Sequence, residues 1–354
     1  STIHAFCQRV LRENFHRAGL AAGFRVGEGQ ELAELAGQAM EETLEGRYRA
    51  AVPLFLELVE LLSSPRSDQP VADAVERVFA YARSHPFYER WLDRVLRHYT
   101  GFTRPEENVW GRILQRYAAE SLEHAAGLIR RSQALAAGDE ALEKAYLPAL
   151  LEDERQLSAA AEAARGGWEE MAVGIAQVSL GALKPARGCV RLEDKERIQA
   201  DRKLVKEQVK KLREGVFCLS AEQFGEDVRA LCPLVTLLFD LVKEYGGRFA
   251  EKKRAKGLVD FSDLEQLTLV LLAEPDGEGY RPTALAGELG ARFDQIMIDE
   301  YQDTNAAQEL IFTCISRGGE NLFMVGDIKQ SIYRFRLASP ESFLQKRERY
   351  APYT

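Results

Sequence analysis

The 354 residues carry a net charge of −8, with 46% hydrophobic and 29% charged side chains, the balance of an ordinary globular chain long enough for about two domains with cores of their own. No apolar run approaches the ~18 residues of a membrane span and no signal peptide is visible, which argues against a membrane partner and for a cytoplasmic setting. Cys7, Cys189, Cys218, Cys232 and Cys314 are scattered without a C-x-x-C pair, so a disulfide framework or zinc site is excluded and buried, reduced thiols are expected.

Most of the chain has helical periodicity. Phe6, Val10, Leu11 and Phe15 form an apolar stripe over 5–17. Residues 30–62 and 68–100 repeat the period, broken at Pro53, at the loop Ser63-Ser64-Pro65-Arg66-Ser67-Asp68, and at Ser84-His85-Pro86. Ala-rich residues 112–137 and 140–165 read as two long helices joined at Gly138-Asp139. Residues 193–213 are densely charged around a thin seam of Ile198, Leu204, Val205, Val209 and Leu212, which suits either a helical hairpin or an exposed helix packed on one side. Val228 to Tyr245 is another apolar helix, and Gly246-Gly247 allows a bend before a basic run. That run holds Arg248, Lys252, Lys253, Arg254 and Lys256 against Glu251; a DNA contact and a solvated helix face are equal readings of it. Asp260 or Ser262 caps a helix through Leu264, Leu267 and Val270-Leu271, and Asp263 reads as part of that helix start. His16, His85, His98 and His124 share no metal-ligand spacing.

Two later runs carry chemistry. Phe293-Asp294-Gln295-Ile296-Met297-Ile298 ends in Asp299-Glu300-Tyr301-Gln302-Asp303, and Leu322-Phe323-Met324-Val325-Gly326 ends in Asp327. Each reads as a buried parallel strand delivering carboxylates to its C-terminal edge, where open α/β sheets place their ligands. Adjacent Asp299 and Glu300 suit nucleotide hydrolysis, one carboxylate holding Mg²⁺ and the other orienting or deprotonating a water. Asp327 has two equal readings, support of the metal site and cap of the following turn. Gln302 and Asp303 read as buttresses of the loop. Behind Asp327, Tyr333 and Phe335 lie two apart beside Arg334 and Arg336; rings stack on any base and guanidiniums hold phosphates, a pattern for single-stranded DNA, although the alternation also makes one ring a core candidate. The surrounding basic stretch, Lys329 to Arg349, strengthens the DNA reading. Ala338-Ser339-Pro340-Glu341 reads as a helix start.

Asp299-Glu300-Tyr301-Gln302-Asp303-Thr304-Asn305 resembles the Walker B motif of superfamily-one DNA helicases of the UvrD/Rep type. Val325-Gly326-Asp327-Ile328-Lys329-Gln330-Ser331-Ile332-Tyr333-Arg334-Phe335-Arg336 resembles their next motif, Thr2-Ile3-His4-Ala5-Phe6-Cys7 their Thr-x-His-x-Phe motif, and Val259-Asp260-Phe261-Ser262-Asp263-Leu264 the segment before Walker B. Lys329 and Leu337-Ala338 point to the AddA branch of helicase–nuclease subunits; a single-chain UvrD-like repair helicase is the neighbouring alternative. The resemblance implies a fold that is α/β with a large α-helical insertion: a partial RecA-like P-loop NTPase motor domain from residues 1–12 and 255–354, and a helical accessory domain over 13–254. It implies Mg²⁺ and ATP as cofactors, with Asp299 on the metal, Glu300 as catalytic base and Gln330 sensing the γ-phosphate. Thr2, His4, Tyr333, Phe335 and Arg336 would face DNA, with Phe335 standing where relatives usually carry Trp. Implied partners are single-stranded and duplex-end DNA and an AddB-type subunit, in an ATP-dependent 3′ to 5′ helicase that processes double-strand breaks. No Gly is followed by Lys, so the G-x-x-x-x-G-K-[ST] phosphate loop is missing. The chain thus reads as an internal fragment, predicted inactive as an ATPase by itself; a single-stranded-DNA-binding or partner-docking module without ATPase activity is the competing reading.

Overall fold

A computed structural model describes residues 2–63, 67–327, 329, 343 and 346. In chain order the elements are α1 (Ile3–Glu13), β1 (Arg25–Val26), α2 (Gly29–Ala50), α3 (Pro53–Leu62), α4 (Gln69–Arg83), α5 (Tyr88–Thr100), α6 (Val109–Ala136), α7 (Glu140–Ala163), α8 (Trp168–Gln177), α9 (Leu192–Lys211) and α10 (Ala221–Ala255). There follow β2 (Leu258–Val259), α11 (Phe261–Leu272), β3 (Ala273–Asp276), β4 (Gly279–Pro282), α12 (Ala284–Gly290), β5 (Ile296–Ile298), α13 (Ala306–Ile315) and β6 (Leu322–Met324). Helix dominates, and among the described residues the strands form three two-stranded sheets. The chain divides into two compact units, residues 1–96 with 233–354, and residues 97–232.

The unit of residues 97–232 is a helical bundle. Asn108 and Asp139 accept backbone N–H groups at the starts of α6 and α7, which meets donors that a helix start leaves orphaned. Their Ala-rich faces pack together with α8 and α9 around Leu122, Ile129, Leu150, Leu157, Trp168 and Ile198. The charged helix α9 joins this core because ion pairs close its seam: Arg202 is buried against Asp153 at 2.5 and 3.0 Å, and Asp201 takes Arg131. Leu204, expected in the seam, points to solvent.

The other unit holds two cores. In one, α2, α3, α4 and the α5 residue Leu92 pack on the C-terminal part of α10. Gly246-Gly247, read as allowing a bend, does not interrupt the helix, since α10 runs unbroken through both. Gly246 serves close packing instead, because a Cβ there would lie 2.7 Å from Phe79 Cε2 and from the Tyr88 hydroxyl. In the second core, α1 buries Phe6, Cys7, Val10 and Leu11 against Val259, α11, α12 and α13. Helix α1 stops at Glu13, short of the expected residue 17, because the Asn14 side chain takes the Val10 carbonyl at 2.9 Å in competition with another helical turn. The hairpin β3–β4 was not foreseen; its two-residue loop puts Gly277 at φ +57 in the first central position, where glycine is favoured.

Strands β5 and β6 are parallel, with Ile296, Met297 and Ile298 opposite Leu322, Phe323 and Met324. Their expected burial is corrected: Met297, Phe323 and Val325 are 73, 61 and 50% exposed. Alternation explains this, because Ile298 turns inward while the opposite face of the pair is open. The thiols also differ from expectation: Cys7 and Cys314 are buried, Cys189 and Cys232 are partly so, and Cys218 is exposed. No described helix is long and apolar enough to cross a membrane.

Candidate functional site

The turn after β5 brings Asp299 and Glu300 to the surface side by side. Ladder bonds hold it in place: Val325 N donates to Ile298 O and Tyr301 N to Val325 O, each at 2.9 Å. Glu300 occupies the left-handed region at φ +51, with its N–H on Asp299 Oδ1 at 3.0 Å. Tyr301 and Gln302 then turn inward and are buried. The Gln302 amide bridges two of the acids, donating to the Glu300 carboxylate and accepting from Asp327 N at 3.0 Å. Gly326 leaves room for that amide, since a Cβ there would lie 2.4 Å from Gln302 Oε1. Asp327 Oδ1 accepts from Lys329 N at 3.0 Å, a cap on the turn after β6. Tyr301 bonds through its hydroxyl to Glu309, which also pairs with Lys346 at 2.7 Å.

A second constellation lies where α1, α11 and α13 meet. Thr2 caps α1 through Ala5 N, and His4, in the first turn, stands with Nε2 3.0 Å from Glu265 Oε1 and its ring 4.8 Å from that of Phe261. Glu265 is 4% exposed. Its other donors come from the start of α13, with Asn305 Nδ2 at 3.1 Å and Gln308 Nε2 at 2.6 Å. Asn305 also caps α13 by accepting from Gln308 N at 2.8 Å. The predicted residues thus fall into two groups, Asp299, Glu300 and Asp327 at the ends of β5 and β6, and Thr2 and His4 on α1. Gln330, Tyr333, Phe335 and Arg336, with the helix start at 338–341, lie outside the described residues. Glu265, Asn305 and Gln308 were missed; an acid inside the apolar run Leu264 to Leu272 was the available signal for the first.

One member of the basic run Arg248–Lys256 is internal: Lys253 is buried, which takes it out of both readings, while Arg254 and Lys256 are exposed. Lys253, 3% exposed in its side chain, donates to Asp260 at 2.7 Å and Asp263 at 2.5 Å. Arg83, from α4, meets the same two carboxylates at 2.6 and 2.8 Å. Lys252 pairs with Glu42, and Arg248 with Glu42 and Glu244. Asp260 and Asp263 meanwhile form a reciprocal cap on α11, so Asp260 and not Ser262 is the capping residue. Burial pushes the Asp260 carboxyl up, but Arg83 and Lys253 outweigh it and hold the group well below the usual carboxylate range. Burial raises the Cys7 thiol to about 12 and Cys314 to about 11.

Comparison with known proteins bears on the chain from end to end. Residues 1–351 match the family described as UvrD/REP helicase N-terminal domain. The chain belongs to that family. It is 32% identical over 361 residues to the ATP-dependent helicase/nuclease (A subunit) of Ruminiclostridium cellulolyticum and 35% identical over 361 residues to that of Geobacillus thermodenitrificans. Each alignment covers 99% of this chain and 29% of the relative. The same-named protein of Pelotomaculum thermopropionicum is 35% identical over 361 residues, covering 98% of this chain and 28% of its own length. The chain therefore spans less than a third of the relatives it matches. Membership of the UvrD/REP family implies a P-loop helicase fold.

Proposed function

We propose that this chain is part of a cytoplasmic, ATP-dependent 3′ to 5′ DNA helicase or translocase subunit of AddA type, which processes double-strand breaks for recombinational repair with an AddB-type partner. The observation that carries this reading is the pair of exposed, adjacent carboxylates on the turn after β5, braced by Gln302 to the end of β6, in a family of DNA motors. Residues 1–12 and 255–354 are read as the partial motor domain and 13–254 as the helical insertion; the unit 97–232 falls wholly inside that insertion.

The donor chemistry fits Mg²⁺. Among the described residues no group of three or more His, Cys, Asp or Glu forms an all-protein metal cage, and Mg²⁺ is commonly held by one or two carboxylates together with substrate phosphates and water. Asp299 would hold it, and the ion would neutralise charge on the phosphates during transfer. Glu300 orients the attacking water and accepts its proton. Gln302 restrains that carboxylate by donating to it. Asp327, which caps the turn after β6, also stands where it could support the metal site, and Gln330, Tyr333, Phe335 and Arg336 keep the roles that the family resemblance assigns, with Thr2 and His4 on the DNA backbone. Without the phosphate-loop lysine and amides, the chain by itself is expected not to hydrolyse ATP.

A partner-docking module is the second reading, favoured by Ile113 and Tyr117, half-exposed and one turn apart on α6, with Leu151 exposed on α7. The deciding experiment measures single-stranded oligonucleotide binding by this chain across a salt series, beside ATPase activity of the complete protein and its Glu300→Gln variant. Expected are binding that weakens with salt and loss of ATPase by ~10²–10⁴-fold, the scale of a general base. Glu300-dependent hydrolysis by residues 1–354 would overturn the expected inactivity. An unchanged rate in Glu300→Gln would sink the catalytic assignment.

A further inference from the structure

Glu265 is a buried carboxylate that the proposed chemistry does not use. Its oxygens collect three side-chain donors from two separate elements: His4 at 3.0 Å and Gln308 at 2.6 Å on Oε1, and Asn305 at 3.1 Å on Oε2. Unpaired, a carboxylate in this position would be strongly unfavourable. The three donors are therefore tied to one point, and a shift of His4 must be answered by the start of α13 or by a lost hydrogen bond. From Asn305 back to Glu300 the chain has little freedom. Asn305, Thr304, Gln302 and Tyr301 are all buried, and Tyr301 N is bonded to the Val325 carbonyl. A packed segment of this kind moves as a unit.

We propose that Glu265 is a positioning residue that couples the His4 end of α1 to Glu300, so that DNA held near His4 sets the reach of the catalytic carboxylate. This rests on the reading of the chain as part of a DNA-stimulated ATPase. Glu265 touches neither nucleotide nor DNA. Its effect appears only in the difference between the rates with and without DNA.

The test measures ATPase activity of the complete protein with and without a single-stranded oligonucleotide, extracting kcat, KM for ATP and the half-stimulating DNA concentration. The variants are Glu265→Gln, which puts an amide donor among three donors; Asn305→Ser, which keeps an N-cap but is too short for Glu265; His4→Ala; and His4→Ala with Glu265→Gln. Expected for Glu265→Gln are an unchanged DNA-independent rate and KM for ATP, with DNA stimulation reduced about tenfold, as for loss of one ~1.4 kcal/mol coupling; Asn305→Ser is expected to lower the ratio of stimulated to DNA-independent rate by a similar factor. The double variant is expected to be no worse than the more impaired single. Stimulation within twofold of wild type in both Glu265→Gln and Asn305→Ser would overturn the proposal and leave the motor reading standing. Equal falls in the DNA-independent and stimulated rates would also overturn it, since that is the mark of damage to fold or chemistry. A wild-type protein whose ATPase ignores DNA would overturn the motor reading and the coupling with it.

Discussion

Replacing Lys253 by Met removes one cation from a buried group of four charges while nearly keeping the side-chain length. Lys253 Nζ donates to Asp260 at 2.7 Å and Asp263 at 2.5 Å, and stands 4.1 Å from the centre of the Phe249 ring. Arg83 stays bonded to both carboxylates, so two acids would share one guanidinium inside the protein. Removing one partner of a buried pair costs about 3–5 kcal/mol, and the remaining Arg83 bonds place this case near 3. Units of ~150–250 residues lose roughly 2–4 °C per kcal/mol, which predicts a fall of ~6–12 °C for the unit of residues 1–96 and 233–354. Pulse labelling of Cys7 and Cys314 along a thermal ramp follows that unit specifically, because both thiols are buried in its second core. Adding Asp263→Asn to Lys253→Met restores the charge balance and should recover at least half of the loss. A melting point for Lys253→Met within 1 °C of wild type, or a double variant no better than the single, would refute the reasoning and return Lys253 to the pool of DNA-contact candidates.

The same group of charges sets an acid limit. Asp260 titrates below its ordinary range when folded, so near that range the unfolded chain binds more protons; its stabilisation is complete above about pH 5 and is lost as pH falls through ~4 toward the folded value. Cys314 labelling midpoints should be level from pH 7 to 5 and drop below, and Asp260→Asn, though less stable at pH 7, should show a flatter drop; an equal slope in the variant counts against this. Gly246→Ala should destabilise by ~1–3 kcal/mol through overpacking on Phe79 and Tyr88. Gly247→Ala, with open space around the added methyl, should stabilise by up to ~1 kcal/mol through helix propensity; equal denaturation midpoints for the two would show that the crowding at residue 246 relaxes.

What could be read without coordinates was local. Pro53, Ser84-His85-Pro86 and Gly138-Asp139 interrupt helices by backbone chemistry carried in the residues themselves, and the helices stop there. The parallel direction of β5 and β6 followed from apolar runs ending in acid. Their exposure did not, because burial of a strand depends on what covers it and not on its own composition. Gly246 was misread for a similar reason: glycine signals either freedom or crowding, and Phe79 and Tyr88, which decide between them, are distant in sequence. Lys253 and Arg83 find partners across 10 and 180 residues, beyond any spacing rule. The β3–β4 hairpin was within reach, as Asp276-Gly277 is a turn signal.

Glu300 holds a backbone conformation that suits glycine, and a side chain there costs on the order of 1 kcal/mol. Under the proposed function, foldability and chemistry therefore pull in opposite directions at one position. A library of this chain sorted only for heat resistance should enrich Glu300→Gly, because relaxing the turn helps the fold while the loss of the carboxylate goes unnoticed. Persistence of glutamate at this position through such a sort would mean that the Gln302 hydrogen bond already repays the strain.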